Sequence, residues 1–195
     1  MTQAQKTTTV LLVGVGGQGT ILAGDLLAKT AAASGYDVKI SEIHGMSQRG
    51  GSVSTVVRFG SDVSSMVCDP GCADVIVSFE AIEALRARQF LVPGTGRLFV
   101  NDEVITPVSV AIGTGQMPAD IDASLAELDA VRVPAGRIAR EAGSPKSANV
   151  VLMGALSTAL PFEADIWRSV IAERVPPKTI EANLAAFDAG RGCVA

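Results

Sequence analysis

Residues 10–20, Val-Leu-Leu-Val-Gly-Val-Gly-Gly-Gln-Gly-Thr, constrain this chain more than any other stretch. An apolar run ends in a glycine cluster and passes at once into a helix-like segment. That order describes a parallel strand that stops, turns tightly and starts a helix. Gly14, Gly16 and Gly19 occupy the glycine positions of G-x-G-x-x-G, with Gly17 and Gln18 between them. Glycine permits positive φ and removes side chains that would block a ligand. The N–H groups at the start of the helix favour anions. The same glycines would equally serve only to let strand and helix pack closely.

The pattern on either side extends this into an α/β fold: a Rossmann-like, mostly parallel sheet with helices on both faces, an inserted β-hairpin and C-terminal helices. Thr8–Val13 reads as a strand buried on both faces. A helix is expected over 17–34, with Gly35 as its C′ residue, followed by a strand at Val38–Glu42. Ser52–Phe59 reads as a strand, and Val63–Val67 as its partner across a Gly60-Ser-Asp62 turn. Asp74–Phe79 is a buried strand, Glu80–Phe90 a helix and Arg97–Val100 another strand. Ile105–Ile112 is expected to be extended, with Pro107 placing it at an edge. Ile121–Leu128 is helical with Asp120 as N-cap, Val131–Val133 a short strand and Arg137–Glu141 a turn or two of helix. Ser147 is a candidate N-cap for a small-residue-rich helix over 149–160. Two amphipathic helices close the chain, one around Trp167 and one through Ile180, Leu184 and Phe187. A single domain, residues 1–195, is expected, with a core at 8–160 and a helical segment at 161–195.

Composition narrows the function classes. Of 195 residues, 48% are hydrophobic and 18% charged, which supplies a real core and argues against disorder. The net charge is −4, with no basic stripe, so nucleic acid is not an expected partner. The polar N-terminus is not a secretory signal. Residues 150–162 are too short for a span, which needs roughly 20 apolar residues, so no membrane role is expected. A cytoplasmic setting is expected on these grounds. The cysteines, Cys68, Cys72 and Cys193, are too few for an iron–sulfur or structural zinc site and read as ordinary small buried or interface residues.

Glu42 lies 23 residues past Gly19, near where a dinucleotide-binding unit places its ribose-binding carboxylate. Residues 8–42 alone therefore read as a nucleotide-binding half. The segment after Glu42 departs from an ordinary dehydrogenase: His44-Gly45-Met46-Ser47-Gln48-Arg49-Gly50-Gly51 is a polar loop punctuated by glycine. His44, the chain's only histidine, suits a general acid or base, but a strand-end group bonded to the backbone is the favoured reading. Arg49, flanked by glycine, suits a phosphate or carboxylate, and equally an interface salt bridge. No nucleophile elbow and no P-loop are present.

Gly14-Val-Gly-Gly-Gln-Gly19 together with Glu42-Ile-His-Gly-Met-Ser-Gln-Arg-Gly-Gly-Ser-Val53 resembles the gamma-type domain of 2-oxoacid:ferredoxin oxidoreductases. Within that family the likeness is greatest to the small (beta) subunits of its indolepyruvate-acting branch, and it covers nearly the whole chain. The second motif is the specific one. The resemblance implies a large partner subunit that holds thiamine diphosphate, magnesium and iron–sulfur clusters. That subunit decarboxylates an aryl 2-oxoacid oxidatively, passes electrons to ferredoxin and forms an acyl-CoA. This chain alone is then expected to bind no cofactor and to be inactive by itself. Its loops at 14–19, 42 and 45–51 would meet CoA or the partner. The competing readings are a free-standing NAD(P)- or FAD-binding dehydrogenase and a nucleotide-sensing regulatory protein.

Overall fold

The computed structural model describes residues 6–44 and 51–194, and for His44 the backbone only. A six-stranded sheet forms the centre: β1 (Thr8–Val15), β2 (Asp37–His44), β3 (Ser52–Gly60), β4 (Val75–Ser78), β5 (Arg97–Asn101) and β6 (Val131–Val133). Its spatial order is β2-β3-β1-β4-β5-β6. β1, β4, β5 and β6 pair in parallel. β3 is antiparallel to both β1 and β2, so it alone runs against the rest.

Alternation along β1 assigns the two faces. Val10 and Leu12 enter one core, with α1 (Thr20–Ala33), α5 (Ala135–Glu141), α6 (Ala148–Ser157), α7 (Ala164–Arg174) and α8 (Ile180–Gly192). Leu11 and Val13 enter the other, with α2 (Ala81–Ala87) and α4 (Ile121–Glu127). The larger core is continuous from β1 to α8, where Trp167 and Phe187 are fully buried and stacked at 5.9 Å. Gly35, at φ 87°, ends α1 as the sequence indicated.

Three segments differ from expectation. The hairpin is formed by β2 and β3, in register from Asp37↔Gly60 to His44↔Val53, and Val63–Val67 is not a strand. Point contacts hold that segment instead of a ladder. The Val63 N–H donates to the Asp37 carboxylate at 2.8 Å, which holds that carboxyl below its ordinary value. Arg58 donates to the carbonyls of Ser65 and Val67 at 2.9 and 3.2 Å. Residues 105–112 are not extended: a short helix, α3 (Val108–Ala111), begins after Pro107, whose carbonyl accepts the Val110 and Ala111 N–H groups. Proline's fixed φ suits a helix start.

The expected caps also behave differently. Asp120 precedes α4 in a left-handed conformation, and its side chain makes no cap bond. Ser147 precedes α6, but its hydroxyl donates to Asn183 Oδ1 on α8 at 2.8 Å and contacts Ser144. Cys72 and Cys193 are exposed and Cys68 half-buried, so the first two are not buried residues of this chain.

Candidate functional site

The sheet's winding reverses at β1 and β4: α1 leaves β1 on one face and α2 leaves β4 on the other. Open α/β sheets bind ligands at the strand ends beside such a point. Here the glycine loop and Glu80 occupy it.

Gly14, Gly17 and Gly19 each have a local reason to be there. A Cβ on Gly14 would stand 2.9 Å from Phe79 Cβ and 2.8 Å from Gln18 Oε1. Gly17 and Gly19 have φ of 107° and 84°, the left-handed region that glycine alone enters without strain. A Cβ on Gly19 would also meet the Asn149 amide. The Gly16 N–H donates to the Gly51 carbonyl at 2.9 Å, which ties the loop to the foot of β3. Gln18 folds back over the turn. Its Oε1 accepts the Val15 N–H at 2.8 Å, and its Nε2 donates to the Phe79 carbonyl at 3.0 Å and to Glu103 at 3.1 Å. Gln18 therefore bridges the ends of β1 and β4, across the crevice where a dinucleotide would lie.

Glu42 is displaced for a topological reason. In a dinucleotide-binding unit β2 lies directly beside β1. Here β3 separates them, so Glu42 stands two strand spacings from β1, about 9.6 Å rather than about 4.8 Å. Gly16, Gly17 and Gly19 nevertheless share a cavity of about 280 Å³ with Glu42, Thr20, Ile21 and residues 53–55. Glu42 is the one charged side chain among its described lining residues. A phosphate bound there would need a cation from outside these lining residues. Gly45, Ser47, Gln48, Arg49 and Gly50 lie outside the described residues, as does the His44 side chain.

The structure adds residues that the sequence reading missed. Glu80 is 1% exposed. Its carboxylate accepts the Glu83 N–H at 2.8 Å, as N-cap of α2, and the Ile105 N–H at 2.9 Å. Burial pushes its pKa above the ordinary value of 4.5 despite those two donors. Glu83, also buried, receives the Ser52 hydroxyl at 2.6 Å and pairs with Arg86. Asn101 joins three elements: its amide donates to the Phe79 carbonyl at 3.1 Å and its oxygen accepts the Ala135 N–H at 3.2 Å. A signal for Glu80 was available: a carboxylate directly after an apolar strand and three residues before Glu83 is a helix-start pattern.

Glu83, Ser52 and Arg86 also line the end of a second cavity, of about 300 Å³, floored by Leu11, Val13 and Val56 on the α2 face. Among the described residues no group of three or more His, Cys, Asp or Glu side chains could share a metal ion. Burial pushes the Cys68 thiol up to about 11, away from the thiolate that ligates metals. These residues therefore do not fit an iron–sulfur cluster or magnesium. What the site offers is a main-chain-lined cleft, closed by hydrogen bonds and walled by carboxylates.

The family profile for pyruvate ferredoxin/flavodoxin oxidoreductase matches residues 9–193. The chain belongs to this family. Among its relatives is the indolepyruvate oxidoreductase subunit IorB of Thermococcus kodakarensis, 43% identical over 192 residues and 95% of each chain. The subunit of the same name from Pyrococcus horikoshii is 41% identical over 197 residues, again 95% of each chain. A solved structure of the 2-oxoglutarate:ferredoxin oxidoreductase of Magnetococcus marinus, with 2-oxoglutarate, coenzyme A and succinyl-CoA bound, shares the fold. That match has a TM-score of 0.70 and 24% identity; it covers 97% of this chain and 31% of the longer one. No helix among the described residues is long and apolar enough to cross a membrane.

Proposed function

We propose that this chain is the small subunit of an indolepyruvate:ferredoxin oxidoreductase. A large partner subunit carries thiamine diphosphate, magnesium and iron–sulfur clusters. It converts an aryl 2-oxoacid and CoA to an acyl-CoA and carbon dioxide, and two electrons pass to ferredoxin. The near-full-length identity with indolepyruvate oxidoreductase subunits carries this reading. The free-standing dehydrogenase is disfavoured by β3, which moves Glu42 away from β1, and by Gln18, which bridges the crevice. The protein works in the cytoplasm, with its partner.

Within that complex the glycine loop and residues 44–51 face the partner and contribute to the CoA entrance. The loop's main-chain groups and Arg49 would meet a phosphate of CoA. Arg49→Ala in the assembled complex is expected to raise KM for CoA about tenfold, the loss of one charge-assisted contact, with kcat little changed. Steady-state kinetics with CoA as the varied substrate measures this. An unchanged KM would leave the loop as a purely structural interface element.

A further inference from the structure

Exposed apolar side chains are distributed unevenly over the molecule. Among the described residues, every large hydrophobic that stands open lies on the first turn of α1, on β2, at 66–67 or between 104 and 117. None lies on α5, α6, α7 or α8. The longest series is Val104, Val108 and Ile112, four residues apart and 47%, 63% and 68% exposed. Val104 lies in the irregular chain after β5, Val108 opens the four-residue helix α3 and Ile112 is its C-cap.

The charge around this stripe has one sign along the chain. Residues 98–131 contain six carboxylates, among them Asp102, Glu103 and Asp120, and no lysine or arginine. Three arginines approach from neighbouring elements. Arg132 is paired with Asp122 at 2.6 Å, and Arg86, paired with Glu83, borders with Arg88 the cavity between α2 and this segment. Val104, Val108 and Ile112 are thus exposed on a segment whose own charges are all acidic, and the arginines come from neighbouring elements.

We infer that the Val104–Val108–Ile112 stripe is the docking surface for the large catalytic subunit, which meets it with an aliphatic patch bordered by lysine and arginine. The inference rests on the subunit reading above. The carboxylates of this segment supply the charge complementarity. The likeness to a chain three times as long shows that this fold also occurs joined to further parts of an oxidoreductase, which favours such a neighbour over a second copy. The segment is also fastened to the glycine loop. The Glu103 carboxylate accepts from Gln18 at 3.1 Å, the Glu103 carbonyl accepts the Ala81 N–H at 2.9 Å, and Glu80 holds the Ile105 N–H. The segment that carries these residues is therefore tied through Glu103 to the glycine loop.

The test uses this chain and its large subunit, purified separately and titrated against each other. Because Val108 and Ile112 are exposed, the double variant V108D/I112D should keep the fold of the isolated chain, checked by circular dichroism and Tm. It is expected to weaken assembly by about 100-fold or more, since it buries two carboxylates in an apolar contact. Wild-type affinity should fall as sodium chloride is added. Ala189→Asp, on the exposed side of α8, should assemble normally. If the aspartate variant does not fold, V108S/I112S gives the same reading at about tenfold. Wild-type affinity in a folded V108D/I112D variant would overturn the inference, as would a self-association of the isolated chain that this variant abolishes. Failure of the wild-type chain to bind any such subunit is a separate result, and it would remove the subunit reading and this inference together.

Discussion

Replacing Gly154 by alanine is expected to destabilise the chain by about 3 kcal/mol, a fall in Tm of roughly 6–12 °C for a protein of this size. α6 is buried along nearly its whole length and is crossed by α8. At the crossing the two helices meet backbone to backbone. A Cβ on Gly154 would collide with the Phe187 carbonyl, and one on Gly190 with the Val151 carbonyl. Main chain cannot rotate aside as a side chain can. Alanine does gain about 1 kcal/mol of helix propensity over glycine. Against that, α8 must move out, and Phe187 and Trp167, both fully buried, lose their packing. The cost outweighs the gain. Gly190→Ala should behave alike, and the double variant should cost less than the sum because one separation relieves both clashes. Thermal melts decide the matter; an unchanged or raised Tm would mean that the helices do not touch through these glycines.

Glu80→Ala is the second large effect, expected at about 2–4 kcal/mol. It removes the N-cap of α2 and leaves the Glu83 and Ile105 N–H groups without their acceptor. The same residue gives a pH dependence. Its folded pKa is raised, so its contribution to stability is fully present below about 4.5 and is lost as pH rises through the folded value. Glu80→Gln cannot titrate. The advantage of wild type over Glu80→Gln in urea unfolding should therefore grow as pH falls toward about 4.5. A difference that is flat with pH would contradict the assignment.

What could be read in advance was what local periodicity encodes. The apolar run of β1, the helical spacing in α1 and α8 and the Gly35 stop are local signals, and the structure shows each of them. The position of β3 was not legible, because pairing between distant strands leaves no local mark. Val63–Val67 read as a strand because it follows a Gly60-Ser-Asp62 turn, yet Asp37 and Arg58 hold it by single contacts. At the site, the glycines were legible as a turn but not as a turn already closed by Gln18. That depends on Phe79 and Glu103, which lie 61 and 85 residues away. In sequence, Glu80 and Glu83 read only as part of a helix over Glu80–Phe90. Only the fold shows that they are buried under residues 105–109 and the foot of β3.

The central claim is that this chain acts as the small subunit of an indolepyruvate oxidoreductase. The most direct measurement is ferredoxin reduction in the presence of CoA, by the isolated chain and by the chain combined with its large subunit, with indolepyruvate and 2-oxoglutarate as competing substrates. The account predicts no turnover by the chain alone and turnover by the complex with a higher kcat/KM for indolepyruvate. Turnover by the isolated chain, or a complex that prefers 2-oxoglutarate, would contradict it.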